Sequence, residues 1–387
     1  MSAVMNTYAR YPLTLVKGRG SRVWDDAGRE YLDFVSGIAV NSLGHAHPEL
    51  AKTICDQANT MLHCSNLFRI QEQEALAEKL CILSGLDAAF FCNSGAEANE
   101  AAFKLSRKFW YDRGSKRRNI ICAANSFHGR TLNTLTATGQ DKVKIGYDPL
   151  PPGFLHVPYG DMNALQEVVD STTAAILLEP IQGEGGVNLP PDGYLKYVRN
   201  LCDDHGILLV LDEVQTGIGR TGRMFAFEHS GIKPDILTLA KGMGGGVAIG
   251  TMLASAKLAK SFGPGTHGST FGGNPLACRA AAAVLSVIEA EDLLANTIEQ
   301  GKRLICGLKN IRKKESKIRD IRGLGLLTGV ELGCEVTSVI SSCRDKGLLL
   351  LPAGPKVLRI LPPLNVSSAE VEEALGILAD CLHEVSI

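Results

Sequence analysis

The sequence predicts an α/β protein with a mostly parallel central sheet, helices on both sheet faces and a smaller α+β unit. Short apolar runs alternate with helical stretches in the middle of the chain, which is typical of parallel strands covered on both faces. From residue 276 onward the order of elements changes. The 387 residues also exceed the roughly 250–300 residues at which single cores stop growing, so we expect two domains.

Apolar runs and helical periodicity place the elements of the central sheet. Strands are expected at Ala88–Cys92, Asn119–Ala123, 174–178, 207–211, Ile236–Leu239 and 248–253. Helices are expected at 95–110, 161–169 and Tyr194–His205.

The two ends of the chain are expected to form the smaller unit. The C-terminal part predicts helices at 275–294, 298–313 and 369–382, and strands at 318–322, 326–332 and 348–351. The hairpin-like stretch 22–34 near the N-terminus should join them. The predicted division is therefore an N-terminal segment (1–50) that joins the small domain, a large domain with the central sheet (51–275) and a C-terminal small domain (276–387).

Composition excludes several classes of protein. The 40 Lys and Arg residues nearly cancel the 41 Asp and Glu residues, which argues against a nucleic-acid partner. No stretch has the roughly 18 consecutive apolar residues of a membrane span, and the N-terminus lacks the apolar segment of a signal peptide. The 11 cysteines include no C-x-x-C pair, so we expect reduced thiols in a cytoplasmic protein. His45 and His47 form an H-x-H pair that we interpret as a structural turn, and no metal site is expected.

A turn of small residues follows the first predicted strand of the sheet and opens a helix. The N–H groups of Gly95 and Ala96, with the Ser94 hydroxyl, could hold a phosphate at this helix N-terminus. Ser94 and Glu97 also have the spacing of a capping box. Taken alone, the stretch fits both interpretations.

An acidic residue, Asp212, directly follows the predicted strand 207–211. A Walker B strand would require a G-x-x-x-x-G-K-[ST] loop, which the sequence lacks. Residues 217–222 match G-x-G-x-x-G, but five residues separate them from the strand and no clear helix follows. A dinucleotide site is therefore disfavoured.

A lysine, Lys241, follows the strand Ile236–Leu239 and precedes a glycine-rich stretch. Partial burial there would favour the neutral amine that an imine-forming lysine needs, although a solvated lysine in a flexible loop is the commoner case. Asp212 lies 29 residues earlier, which is one strand–connection–strand step and places both groups at one sheet edge. A phosphate site, an acid for a pyridinium nitrogen and such a lysine together favour pyridoxal 5′-phosphate.

Three further residues follow strands and are candidates for ligand contacts. Phe127 could stack on a cofactor ring, although core packing is equally compatible. Arg130 could bind a substrate carboxylate through two hydrogen bonds. Glu184, in the glycine-rich stretch 183–186, is either a gating residue or a surface acid.

Taken in order, these motifs resemble those of the class III (ω-amino acid) aminotransferases, which have fold type I of the pyridoxal-phosphate enzymes. The resemblance covers nearly the whole chain. It is carried by residues 36–48, 93–100, 127–130, 179–186, 211–217, 239–242 and 268–275.

The resemblance implies roles around the cofactor. Lys241 would form the imine and move the proton during transfer, and Asp212 would pair with the pyridine nitrogen. Gln215 would bind the phenolic oxygen, with Val214 and Phe127 on opposite ring faces. The phosphate would be held by Ser94, Gly95 and Ala96, and by Thr270 of a neighbouring subunit. That last contact implies a homodimer with the active site at the interface.

The resemblance also implies how two substrates share one site. Arg130 would bind the α-carboxylate of the donor, with Ser269 near the acyl end. Arg359 would be a second carboxylate-binding arginine, neutralised by Glu184 while the donor is bound. Glu184 would move aside when 2-oxoglutarate binds.

Within this family, the small stretch 36–38 leaves room for an acyl group and offers nothing to an ammonium. The expected reaction is N²-acetyl-L-ornithine with 2-oxoglutarate, giving N-acetyl-L-glutamate 5-semialdehyde and L-glutamate, a step of arginine biosynthesis. N-succinyl-diaminopimelate fits the same argument, and ornithine or 4-aminobutyrate are alternative donors. Glu184 and Arg359 disfavour a glutamate 1-semialdehyde aminomutase. Lys241 and Asp212 disfavour a non-catalytic regulator.

Overall fold

A computed structural model describes residues 3–384 and contains three β-sheets with helices packed around them. The strands are β1 (Leu15–Arg19), β2 (Arg22–Asp25), β3 (Glu30–Asp33), β4 (Ala88–Cys92), β5 (Asn119–Ala123), β6 (Phe154–Val157), β7 (Thr173–Leu178), β8 (Leu208–Asp212), β9 (Ile236–Leu239), β10 (Gly250–Ala254), β11 (Ile318–Leu324), β12 (Leu327–Leu332), β13 (Leu348–Leu349), β14 (Leu351–Pro352) and β15 (Val357–Ile360).

The helices surround these sheets, and short 3₁₀ turns occur at Asp141–Val143, Ala226–Ser230 and Lys241–Met243. The α-helices are α1 (Ser36–Ala39), α2 (Pro48–Thr60), α3 (Gln71–Ser84), α4 (Gly95–Tyr111), α5 (Leu132–Ala137), α6 (Met162–Val168), α7 (Tyr194–His205), α8 (Ala256–Ala259), α9 (Pro275–Ala290), α10 (Leu293–Arg312), α11 (Thr337–Asp345) and α12 (Ser368–Glu384).

The seven-stranded central sheet has the order β4-β10-β9-β8-β7-β5-β6. Its β9-β8-β7-β5-β6 pairs are parallel, whereas β10 runs antiparallel to both of its neighbours. The predicted α/β class with a mostly parallel sheet is therefore confirmed. All six residues of β7 are buried, which explains why the central strands consist of continuous apolar runs.

The sequence did not predict α2, α3, α11 or β15, and three further differences concern β6, α9 and the predicted strand 348–351. The edge strand β6 was not expected, and its middle residues Leu155 and His156 are exposed, so it has no continuous apolar run. The predicted helix 275–294 ends earlier, because Asp292 has a φ of 49° between α9 and α10. The predicted strand 348–351 is divided between two sheets, as β13 and β14.

The chain ends meet in a shared sheet. Strand β13 from the C-terminal part pairs in parallel with β3, so the sheet β1-β2-β3-β13 joins the first 50 residues to the last third of the chain. A second small sheet has the order β11-β12-β15-β14. The division at residues 50 and 275 stays a prediction, and its outermost residues, 1–2 and 385–387, lie outside the described part.

Helix α4 lies against the central sheet and brings its N-terminus to the carboxyl edge. Its buried face carries the small side chains Ala98, Ala101 and Ala102, which allow a close approach to the strands.

Among residues 3–384, no helix is long and apolar enough to cross a membrane. All 11 cysteines are free thiols. His45 and His47 bind different carboxylates, those of Asp33 and Glu291.

Candidate active site

A cavity of about 420 Å³ lies at the carboxyl edge of the parallel strands, where α/β sheets commonly bind ligands. Most of the residues predicted from the sequence line it. These are Ser94, Gly95, Ala96, Phe127, Arg130, Glu184, Asp212, Val214, Gln215 and Lys241. Arg359 lies behind this lining and bonds to two of its members, whereas Ser269 and Thr270 are outside it.

Asp212 ends β8 and its buried carboxylate is held by three donors. Oδ2 accepts a hydrogen bond from Asn99 Nδ2 at 2.8 Å and lies 2.8 Å from His128 Nδ1. Oδ1 accepts from the N–H of Val214 at 3.0 Å. Asn99 is oriented in turn by the Thr238 hydroxyl, which donates to its Oδ1 at 2.8 Å. The acid therefore has a fixed orientation beside the cavity.

Among the lining residues to which sequence reasoning gave no role are Asn99, His128 and Glu179. Asn99 lies one helical turn after Gly95, so it shares the face of α4 that meets the sheet edge. That spacing was the available signal for Asn99. Glu179 directly follows β7, and His128 lies in the loop after β5. Both therefore come after a strand, which was the signal that identified Asp212 and Lys241.

Lys241 follows β9, the strand that pairs with β8, and therefore lies at the same edge as Asp212. Its φ of 43° is unusual for a non-glycine residue and turns the chain directly after the strand. Burial lowers the pKa of the Lys241 amine, the charge of Glu184 opposes this, and Arg359 adds to the lowering. Protonation of this amine is therefore less favourable than for a lysine in water, which suits a nucleophilic role.

Helix α4 begins at the candidate phosphate-binding turn predicted from the sequence. The Ser94 hydroxyl accepts from the N–H of Glu97 at 3.2 Å, which confirms the cap. The Glu97 carboxylate binds Asn93 rather than Ser94, so the reciprocal half of a capping box is shifted by one residue. The first N–H groups of a helix have no intrahelical partner, and Gly95 and Ala96 lie on the cavity wall.

Glu184 and Arg359 form an ion pair at the side of the cavity. Glu184 Oε1 lies 2.7 Å from Arg359 Nη1, which also donates to Gln215 Oε1 at 3.1 Å. The Arg359 side chain is only 1% exposed and the Glu184 side chain is 28% exposed. Burial raises the pKa of Glu184, but the charge and hydrogen bond of Arg359 outweigh it, so the pKa is lowered.

A second buried carboxyl, Glu179, lies on the cavity wall. Burial raises its pKa to about 7, the nearby His128 opposes the rise and Asp212 adds to it. Its two oxygens accept from the backbone N–H groups of Phe127 and Gly183. One side chain therefore bridges two loops of the site.

Phe127 and Arg130 occupy the loop after β5. The guanidinium carbon of Arg130 lies 5.6 Å from the centroid of the Phe127 ring, and Arg130 is exposed at the cavity mouth. Ser269 contacts the candidate phosphate-binding turn through Asn93, whose Nδ2 donates to the Ser269 hydroxyl at 3.2 Å. Thr270 is exposed on the same loop.

A parallel-sheet edge carrying a lysine, a buried carboxylate and a helix N-terminus defines an enzyme of the pyridoxal-phosphate class. Residues 3–382 match the family model of class III aminotransferases, and the chain belongs to this family. It is therefore a pyridoxal-phosphate-dependent aminotransferase, which confirms the resemblance, the fold class and the cofactor expected from the sequence.

Individual relatives agree with this family. The chain is 51% identical over 384 residues to an acetylornithine aminotransferase of Caldanaerobacter subterraneus subsp. tengcongensis, covering 99% of this chain and 98% of that protein. The solved N-acetylornithine aminotransferase from Stenotrophomonas maltophilia K279a is 38% identical, with a TM-score of 0.85 and 97% of each chain covered. The ornithine aminotransferase from Toxoplasma gondii ME49 is 36% identical, with a TM-score of 0.95 and coverage of 98% of this chain and 92% of that one.

The residues present fit the cofactor of this family. A lysine with a lowered pKa and a buried carboxylate lie on the wall of one cavity with the free end of α4. A side chain at Gly95 would approach the Val214 methyl groups to 2.7 Å, so only a glycine lets the start of α4 lie this close to Val214. A flat phosphorylated ring needs this combination.

Proposed function

We propose that the protein transfers the δ-amino group of N²-acetyl-L-ornithine to 2-oxoglutarate, giving N-acetyl-L-glutamate 5-semialdehyde and L-glutamate. The observation that carries this proposal is the closed Glu184–Arg359 pair beside Lys241. Relatives named acetylornithine aminotransferase, about half identical over almost the full length, support the same donor.

The proposed reaction uses residues at the three sides of the cavity. When bound, pyridoxal phosphate carries the amino group between the substrates and draws electrons from the reacting carbon. Lys241 Nζ, whose pKa is lowered by burial, would take the proton from that carbon and return it. Asp212 Oδ1, which accepts only one hydrogen bond from its own chain, would hold the protonated ring nitrogen.

Other cavity residues would orient the ring. Val214, which lies against Gly95, would support one face of the ring and Phe127 the other. Gln215 would bind the phenolic oxygen. Ser94, Gly95 and Ala96 would hold the phosphate at the N-terminus of α4.

The ion pair would let one site accept substrates with different charge patterns. An ω-amino donor has no carboxylate next to its reacting carbon, so Glu184 would stay on Arg359 and leave no unpaired buried cation. When 2-oxoglutarate binds, its α-carboxylate would replace Glu184 on Arg359. Because Glu184 is more exposed than Arg359, the glutamate is the partner that moves.

The acylated donor would extend toward the cavity mouth. Arg130 is exposed there and would bind the α-carboxylate of the donor. Val40, two residues after the small stretch 36–38, lines the cavity, and residues 36–38 have left-handed backbone conformations. Neither Val40 nor the stretch 36–38 offers an acidic side chain to a free α-ammonium, which supports the acylated donor over ornithine.

A homodimer would complete the site. The exposed loop residue Thr270 is the proposed phosphate contact of the partner subunit, with Ser269 near the acyl end of the donor. Asn66 Nδ2 joins this loop to the segment 61–68 by donating to the Ser269 and Gly272 carbonyl oxygens. The two segments expose the large apolar side chains Met61, Leu62, Leu67, Phe68 and Phe271. Such a patch is a typical subunit interface.

A cytoplasmic location stays a prediction, supported by the free thiols.

The donor preference can be measured directly. Glutamate formation from 2-oxoglutarate would be followed with acetylornithine, succinyl-diaminopimelate, ornithine and 4-aminobutyrate as donors. The proposal expects kcat/KM for acetylornithine to exceed that for ornithine by about tenfold or more, because ornithine would place an ammonium against apolar surface. Lys241→Ala is the control for activity from other proteins. A preference for ornithine would overturn the proposal.

A further inference from the structure

One buried side chain connects two loops of the proposed site. Glu179 follows β7, is 6% exposed and lies on the cavity wall. Its Oε2 accepts from the Phe127 N–H at 3.0 Å, and its Oε1 accepts from the Gly183 N–H at 3.2 Å. Phe127 lies on the proposed ring-binding side, and Gly183 begins the loop 183–186 that carries Glu184. We call this segment the gate loop.

The gate loop is held at both ends. At its start, Glu179 binds the Gly183 N–H. At its end, the Gly186 carbonyl oxygen accepts from Arg322 Nη2 at 2.8 Å. Glu184 lies between these two anchors, so it can move by local rotation while the ends of the loop stay in place.

The start of the gate loop also contacts Gln215, which is bound to the arginine of the pair. A Cβ atom at Gly183 would overlap the Gln215 side-chain amide, so the Gly183 backbone lies directly on Gln215. Gln215 accepts a hydrogen bond from Arg359 at 3.1 Å. A shift of Gly183 would therefore disturb both partners of the Glu184–Arg359 pair.

We propose that Glu179 is a positioning residue that holds the gate loop and the Phe127 loop at a fixed separation and thereby sets the preference between ω-amino and α-amino substrates. This inference rests on the proposed function of the Glu184–Arg359 pair. A carboxylate suits the task because both facing groups are backbone donors and each carboxylate oxygen is an acceptor.

Because both groups facing Glu179 are N–H donors, replacing its carboxylate by an amide tests the bridge directly. Glu179→Gln keeps the volume but turns an NH₂ group toward one of the two backbone donors, so one loop loses its anchor. Glu213→Gln is the matched control, because Glu213 is equally buried and its oxygens accept from the Ala226 and Phe227 N–H groups, yet it does not line the cavity. Measurements at pH 8 keep Glu179 ionised, since burial raises its pKa to about 7.

The kinetic test compares the two amino donors in the holoenzyme. The ratio of kcat/KM for acetylornithine to kcat/KM for glutamate is expected to fall about tenfold in Glu179→Gln, since loosening the loop weakens the pairing of Glu184. The double variant Glu179→Gln/Glu184→Ala should show the same ratio as Glu184→Ala alone. Glu213→Gln should lower thermal stability without changing the ratio.

A second readout tests the anchor itself. Hydrogen exchange should become faster in peptides containing Phe127 or Gly183 in Glu179→Gln, and in peptides containing Ala226 and Phe227 in Glu213→Gln. If Glu179→Gln does not fold, Glu179→Asp, one methylene shorter, should give the same direction of change. An unchanged donor ratio, or additive effects in the double variant, would overturn the inference. A wild-type enzyme inactive on acetylornithine would refute the proposed function, while the exchange result would still test the anchor.

Discussion

Glu184 and Arg359 lie 175 positions apart in the chain and form an ion pair of 2.7 Å between Oε1 and Nη1. The gate loop supplies the glutamate and β15 supplies the arginine, so the pair joins the edge of the central sheet to the small C-terminal sheet. Arg359 is fully buried, and an unpaired cation there would be costly. We therefore propose that the pair controls which charge enters that side of the cavity.

Replacing the glutamate should change donor choice. In Glu184→Ala, Arg359 is free to bind an α-carboxylate, so glutamate should gain relative to acetylornithine by about tenfold in kcat/KM. Steady-state kinetics with both donors measure this ratio. Glu384→Ala, which breaks the exposed pair with Lys346, is the control and should leave it unchanged. A constant ratio in Glu184→Ala would refute the gating role.

The reactivity of Lys241 should depend on the same glutamate. Burial lowers the pKa of its amine and the Glu184 charge opposes this, so removal of Glu184 should lower the pKa further. Competitive acetylation of the cofactor-free protein at a series of pH values measures the midpoint, with the exposed Lys257 as internal reference. The Lys241 midpoint should lie below the ordinary lysine value of 10.5 and fall again in Glu184→Ala. An unchanged midpoint would contradict the charge coupling.

A methyl group at Gly95 should disturb cofactor binding through one contact. The Cβ of Gly95→Ala would lie 2.7 and 2.8 Å from the two methyl groups of Val214, so the turn or Val214 must shift. The Kd for pyridoxal phosphate is expected to rise about tenfold. Val214→Ala in the same chain should restore much of the affinity, because it removes both methyl groups. A double variant no better than Gly95→Ala would show that the contact is not the cause.

Stability should fall with rising pH because of buried Glu213. Burial raises its pKa to about 7, from an ordinary 4.5, although the Ala226 and Phe227 N–H groups oppose the rise. The folded state thus holds the proton more tightly, and this stabilisation is present below about pH 4.5 and lost as the pH passes 7. The Tm of Glu213→Gln minus the Tm of the wild type should therefore increase from pH 5 to pH 8. The exposed Glu384→Gln should show no such trend, and a pH-independent difference for Glu213→Gln would contradict the prediction.

The central sheet could be predicted from the sequence because burial on both faces leaves continuous apolar runs, as in β7. Strand β15 lacks this signal, since it carries the buried Arg359 and leads into prolines. The antiparallel β10 is as fully buried as the parallel strands β8 and β9, so its direction leaves no mark in its burial. Strand direction in such a run depends on the connections and not on the residues of the strand.

The candidate site was predicted where chemistry follows a strand directly, as at Asp212 and Lys241. The residues that orient Asp212 could not be assigned in this way. Asn99 and His128 lie 113 and 84 positions from it and meet it only after the sheet and α4 have packed. The bridge made by Glu179 likewise depends on two loops that the sequence separates by more than 50 positions.

The most direct test of the central claim is to find which lysine holds the cofactor. Borohydride reduction of the holoenzyme fixes the cofactor to its lysine, and peptide mapping locates the pyridoxyl group. The label should lie on Lys241 alone, with none on the exposed Lys257 or in Lys241→Ala. A label on another lysine, or no label in an enzyme that still transfers amino groups, would contradict the account.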